Sequence, residues 1–336
     1  MSNSSSLNFH ASPGVRWLAT LLLLFGALAS MLVGVNGPRA EAAARPQSAP
    51  VASGLTVVTS DPPMFFYNGA NRSAAVGRLN SLGEFTNLSS YAANTFGAWT
   101  HITSAGGSRL FFYNSANRSA ATGTLSSNGT FTNLRNYPAN SFGAWTDVTN
   151  AGGSRLFFYN RVNRSAAVGS VSSVGQFSNL RSYPANTFGT WTNVTFAGGS
   201  KLFFYNRSNR SAATGTVSTT GQFTNLRNYP ANTFGTWTHI TSSGGSNLFF
   251  YNRSNRSAAT GTVTATGQFV NRRNYQANAF GAWTHITYSG PSKLFFYNSG
   301  NRSAASGTVG STGQFTTLRS YGPNTFGAWT RITGRI

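Results

Sequence analysis

The sequence predicts an all-β fold, a six-bladed β-propeller built from six 46-residue four-stranded repeats. Three observations carry the prediction. The triplet FFY begins at Phe65, Phe111, Phe157, Phe203, Phe249 and Phe295, and a tryptophan falls at Trp99, Trp145, Trp191, Trp237, Trp283 and Trp329, both series stepping by 46 without insertion or deletion. A fixed period of this size marks a stacked or radial array. Each period holds short β-prone stretches and no apolar spacing of helical period. A pair of β-trefoils is the competing arrangement, but no linker breaks the array after the third unit.

Within the unit Lys201 to Ser246, Leu202 to Asn206 (LFFYN) is aromatic enough for a strand buried in a sheet. Asn209-Arg210-Ser211 form a polar turn. Ala212 to Ser218 come next as a second strand of small residues, where a neighbouring backbone comes close. After a hairpin at Gly221, Gln222 to Tyr229 reads as a third strand, with Phe223, Asn225, Arg227 and Tyr229 on one face and Thr224, Leu226 and Asn228 on the other. Pro230 ends it, because proline cannot donate to a ladder. Trp237 to Thr241 is the fourth strand, closed by a turn at Gly244-Gly245.

Ahead of the array, residues 1–44 are expected to be a secretory signal peptide. Arg16 precedes the apolar run Trp17 to Val35, and the small residues Ala40 to Ala44 offer a cleavage site after Ala42 or Ala44. The run is also long enough for an uncleaved membrane anchor, and either way the repeats are expected outside the cell, secreted or at its surface. Residues 45–54 are a Pro, Ala and Ser linker, and residues 55–336 the propeller. Leu55 to Ser60 (LTVVTS) matches the pattern of Trp99 to Ser104, so either this segment or Trp329 to Thr333 closes the ring.

The balance of charge is one-sided: 25 Lys and Arg face only Glu41, Asp61, Glu84 and Asp147, a net +21. Most arginines therefore have no carboxylate to pair with, and are solvated, stacked on rings or available to an anionic or hydroxyl-rich partner. There is no cysteine, so no disulfide framework is available. The carboxylates occupy non-equivalent positions and no unit carries the pair that glycoside hydrolysis requires. His101, His239 and His285 share one position, taken by Asp147, Asn193 and Arg331 in the other units. Without a carboxylate or thiol partner in sequence they read as rim residues. The expectation is accordingly that the chain is not an enzyme. Clustered carboxylates for calcium and phosphate-cradling glycine loops are also absent, and no cofactor is expected.

What recurs is aromatic faces beside planar hydrogen-bonding groups, the combination that stacks on a sugar ring and bridges its hydroxyls. The candidate ligand-binding residues are Asn71, Arg72, Asn117, Arg118, Asn163, Arg164, Asn209, Arg210, Asn255, Arg256, Asn301 and Arg302 in the hairpin turns. To these are added Asn225, Asn232, and the third-strand residues Arg135, Tyr137, Arg181, Tyr183, Arg227, Tyr229, Arg273, Tyr275, Arg319 and Tyr321. Phe203, Phe204, Phe223 and Trp237 read as core, while Asn209 and Asn232 also suit turns for backbone reasons. Arg210 is the single strongest candidate contact. The six N-R-S triplets match the glycosylation sequon, which their hairpin position also explains.

The strand Leu202 to Tyr205, Trp237 with Ile240 three residues later, and Gly244-Gly245 leading into the next LFF resemble the tachylectin-2 type of β-propeller lectin. The similarity spans all six units on a few residues each. It departs in the second strand, and the Trp that comes after Gly-Gly in that family is replaced by Ser246 and Asn247. That departure lies at a family site element, so the family's specificity for N-acetylated amino sugars is not carried over. The resemblance implies a lectin; the spacing alone implies a blade.

The expected function is thus a secreted, non-catalytic, multivalent carbohydrate-binding protein with one sugar site per repeat. The expected partners are glycans, amino sugars among them. Two alternatives stay open: an electrostatic binder of anionic surface polymers (teichoic acid, sulfated glycan, extracellular DNA), or a structural, protein-binding scaffold. Sequence-specific nucleic acid is not an expected partner, since no helix is available for a major groove. A membrane is expected only with an uncleaved N-terminal segment, and the chain is expected as a monomer.

Overall fold

The structure, a computed structural model, describes residues 61–335. The expected signal segment, the linker and Leu55 to Ser60 lie outside the described residues. The rest is all-β: six sheets of four antiparallel strands, arranged as the blades of a propeller.

A representative blade runs from an inner strand Asn193–Phe196 through Lys201–Asn206 and Ser211–Val217 to an outer strand Phe223–Tyr229. The sheet is therefore out of phase with the sequence unit. The stretch that begins two residues after each tryptophan, HIT in three of the six units, crosses to begin the next blade, where His239–Gly244 pairs with Asn247–Asn252. The expected fourth strand also starts late, because Trp237 and Thr238 belong to the preceding loop. The same offset closes the ring: Arg331–Thr333 pairs with Met64–Asn68, with Phe66 opposite Ile332. Of the two candidate closing segments, the C-terminal one forms this contact.

The LFFY run is apolar at every position because its strand is covered on both faces. Leu202 and Phe204 pack against the preceding blade, while Phe203 and Tyr205 pack against the following one. Phe203 meets Phe250 of the next blade edge to face, centroids 5.5 Å apart. The hydrophobic core is thus a set of six clusters, each shared by two adjacent blades.

Strict alternation fails in the outer strand. A β-bulge shifts the register between Thr214 and Gly215, so that Thr214 opposes Arg227 while Gly215 opposes Asn225. Glycine is needed at 215, since a Cβ there would stand 2.2 Å from the Phe223 ring lying across it. The bulge turns Asn225 and Asn228 toward one side of the blade and Tyr229 toward the other. This corrects the expectation that Asn225 and Tyr229 share a face.

Candidate functional site

Between adjacent blades the bulged strands open a series of alike clefts of 410 to 550 Å³, a size that suits a small ligand. In one of them, Tyr229, Thr233, Phe234, Gly235 and Trp237 come from one unit, and Phe250, Ala259, Phe269, Asn271 and Asn274 from the next. The floor is aromatic, and the exposed amides of Asn271 and Asn274 stand at the edge.

The tryptophan is held from below. Tyr205 is fully buried, its hydroxyl donates to the Gly235 carbonyl at 2.7 Å, and the Trp237 amide donates back to that hydroxyl at 3.2 Å. The indole lies over Gly235, where a Cβ would approach Cζ2 to 2.8 Å. A half-buried indole fixed this way offers a preformed apolar face beside hydrogen-bonding groups.

The opposite wall is fixed by Tyr229. Its hydroxyl accepts from the Phe269 amide and donates to the Gly267 carbonyl at 3.2 Å, stitching neighbouring blades. The equivalent Tyr183 and Tyr275 do the same, each against the next blade. Tyr321 closes the series on Phe85 and Gly83, and Tyr137 holds Phe177 and Gly175.

The clefts are not identical. Asn133 and Asn136, or Asn225 and Asn228, line two of them as Asn271 and Asn274 line the third, each with a threonine opposite. In another, Ser90 stands 3.1 Å from Asn87 Nδ2 and takes the second amide's place. Between Trp283 and Phe315 the polar residues shrink to Thr317 and Ser320, opposite Ala279.

The candidates named from sequence divide between the clefts and two sets of exposed arginines. Asn225 and Tyr183, Tyr229, Tyr275 and Tyr321 line clefts. Arg135, Arg181, Arg227, Arg273 and Arg319 are exposed at the bulge, outside the cleft linings. Of these, Arg319 pairs with Glu84, and Arg181 lies 6.0 Å over the Tyr183 ring. The hairpin arginines sit apart from the clefts too. Arg72, Arg118, Arg164, Arg210, Arg256 and Arg302 all have φ near +60° and each donates to an asparagine 22 residues on, Arg210 to Asn232 Oδ1. Asn209 accepts from the Ser211 amide through its side chain and from the Asn232 amide through its carbonyl. Asn71, Asn117, Asn163, Asn255 and Asn301 repeat the side-chain bond. This tie holds the loop that carries Phe234 and Trp237, so the pair positions the cleft from behind.

Sequence reasoning missed Asn228 and its counterparts Asn136 and Asn274, and it read Trp237 as core. The three-residue spacing Asn225–Asn228 is the signal, but it indicates one face only once the bulge is known.

The three histidines occupy the first position of inner strands, which touch one another in a circle around the axis. His101 Nε2 bonds the Thr146 carbonyl of the next blade at 2.9 Å, His239 that of Thr284 at 2.9 Å, and His285 that of Thr330 at 3.0 Å. Where Asp147 and Asn193 replace histidine, Arg161 and Arg207 reach round to the Thr192 and Thr238 carbonyls. Arg331 completes the circle on Thr100. Six side chains thus bond six blades into a belt.

Burial pushes all three imidazoles below their ordinary value of 6.5, against the pull of the carbonyl bonds. The unfolded chain therefore takes up these protons first. Stability is fully present above about pH 6.5 and falls as the pH drops through the window below it. Urea midpoints should be flat from pH 8 to 7 and decline toward pH 5, and His→Gln at all three positions should remove that decline.

Among the described residues no group of His, Asp or Glu gathers to hold a metal ion. No protein-family model matches the sequence, and no curated protein matches it. Solved structures do. A functionally unknown protein from Desulfotomaculum acetoxidans is 11% identical over 78% of this chain and 80% of its own, with a TM-score of 0.53. A periplasmic gluconolactonase from Pseudomonas aeruginosa is 14% identical over 82% and 98%, at 0.51. The six-bladed fungal lectin from Aleuria aurantia is 12% identical over 81% and 98%, at 0.48. At these identities the likeness to the first two, whose TM-scores exceed 0.5, shows the fold. It also corrects one expectation: a chain of this architecture is a gluconolactonase, so the lack of a repeated carboxylate pair does not make this chain a non-enzyme.

Proposed function

We propose that the chain is a multivalent carbohydrate-binding protein whose sugar sites are the interblade clefts. The observation that carries the reading is the repeated pairing of a braced, half-exposed indole with two exposed amides at one cleft edge. A pyranose lays its C–H face on such a ring while amide groups bridge adjacent hydroxyls. Single clefts of this openness bind weakly, and several on one rigid body raise avidity toward a dense glycan surface by orders of magnitude. An extracellular location, reached through the N-terminal segment, fits this role.

The charge favours a second reading, attachment to anionic polymers through the exposed arginines of the outer strands. A salt titration of binding to glycan-coated surfaces separates the two. Cleft binding should change little between 50 mM and 500 mM salt, on the order of twofold, whereas polyanion binding should collapse.

A further inference from the structure

The end of the propeller axis that carries the belt holds four guanidiniums, Arg161, Arg207, Arg253 and Arg331, against one carboxylate, Asp147. Asp147 is matched by Arg161, whose Nη2 lies 2.9 Å from Oδ1. Among the described residues the opposite arc therefore has cations and no anion. Arg207 uses Nη2 on Thr238, Arg331 uses Nε and Nη1 on backbone carbonyls, and the exposed Arg253 guanidinium donates to no acceptor among the described residues. Arg253 is anchored there by its amide, which donates to Thr238 Oγ1 at 2.8 Å.

Two histidines stand within this arc, and their hydrogen-bond partners accommodate the ring neutral or charged. Thr238 Oγ1 has a single hydrogen, yet it lies 3.0 Å from the Tyr251 carbonyl and 2.9 Å from His239 Nδ1. With a neutral imidazole that hydrogen goes to Nδ1, and the Tyr251 carbonyl keeps the Thr238 amide at 2.9 Å as its donor. With an imidazolium, Nδ1–H donates to Oγ1, the threonine donates to Tyr251, and Nε2–H donates to the Thr284 carbonyl. His285 repeats the arrangement with Thr284, Tyr297 and Thr330. The groups facing His239 are Arg207, Arg253, His285 and the Tyr251 ring; those facing His285 are Arg253, Arg331 and the Tyr297 ring. Cations oppose protonation, and an anion bound among them would reverse that.

We propose that the arc formed by Arg207, Arg253 and Arg331 binds a phosphate or sulfate group, more tightly as the pH falls and His239 and His285 become charged. The guanidinium of Arg253 makes the principal contact, with the free N–H groups of Arg207 and Arg331 beside it. The imidazoles supply charge, since their own N–H groups are already committed to threonines. The site is separate from the clefts, so it stands or falls independently of the cleft reading.

The test is calorimetric titration of the whole chain with inorganic pyrophosphate and with inorganic sulfate, at pH 5.5 and 7.5 and low salt. Binding should be about tenfold tighter at pH 5.5. Arg253→Ser, which places the serine found at Ser115 and Ser299, should weaken it about tenfold at both pH values without unfolding the blade. His239→Gln with His285→Gln should keep the pH 7.5 affinity and lose the gain at pH 5.5. A sulfated monosaccharide and its neutral parent identify the source. If the group is presented on a glycan, Arg253→Ser weakens the sulfated sugar alone; if the site takes the free ion only, the two sugars bind alike while pyrophosphate still responds to Arg253. Absence of binding at both pH values, or an equal loss on Arg227→Ser at the outer rim, would overturn the proposal.

Discussion

Lys293→Ala is expected to cost the propeller about 3–5 kcal/mol in urea unfolding, the scale for stranding one member of a buried ion pair. Lys293 Nζ lies 2.8 Å from Asp61 Oδ1, with side chains 11% and 6% exposed. Burial raises the Asp61 carboxyl above its ordinary value, and the lysine bond opposes this. Asp61 Oδ2 has no hydrogen-bond partner among the described residues, so removing the ammonium leaves the carboxylate without compensation there. The pair joins the start of the first blade to the last, since the Asp61 amide also donates to the Leu79 carbonyl. The double variant Asp61→Leu with Lys293→Met should recover most of the loss, because a buried pair and a packed apolar pair are often near equal. A double variant as unstable as Lys293→Ala would show that the lysine stem, not the charge, is what matters.

The second large effect is on surface attachment. Replacing the cleft tryptophans Trp99, Trp145, Trp191, Trp237, Trp283 and Trp329 together by alanine should reduce retention on a glycan-coated surface by about 10²–10⁴, while any single replacement changes it only a few-fold. Each indole contributes a face that stacks and packs on a phenylalanine of the next blade, as Trp237 does on Phe250 at 5.8 Å. Melting curves must therefore accompany the binding data. Asn271→Ala with Asn274→Ala is the cleaner companion, because both amides are exposed and neither donates to an acceptor among the described residues.

The blade was legible in the sequence because its strands are local: LFFYN must be buried on both faces, and glycines and prolines punctuate the remainder of the unit. The phase of the blade was not, because the HIT strand could pair across either flanking loop, and only tertiary packing selects the Gly-Gly side. The proposed site was legible in its residue types and not in its layout. Asn225 stands among the sequence candidates, but alternation puts Asn228 on the wrong face, since a bulge opposite Gly215 is invisible to such a rule. Arg210 has every mark of a ligand contact in sequence. Its partner Asn232 lies 22 residues away, across a loop whose course no local pattern states. The belt of His101, His239 and His285 was likewise hidden, because it exists only when the ring closes and one blade meets the carbonyl of the next.

The central claim, that the interblade clefts hold sugars, is tested most directly by calorimetry of the folded chain against the saccharides that a glycan array selects. Binding should be weak, nearly salt-independent and distributed over several sites per chain, and it should be lost cleft by cleft as the paired asparagines are removed. A folded protein that binds no saccharide on the array, or one whose sugar binding is untouched by those substitutions, would contradict it.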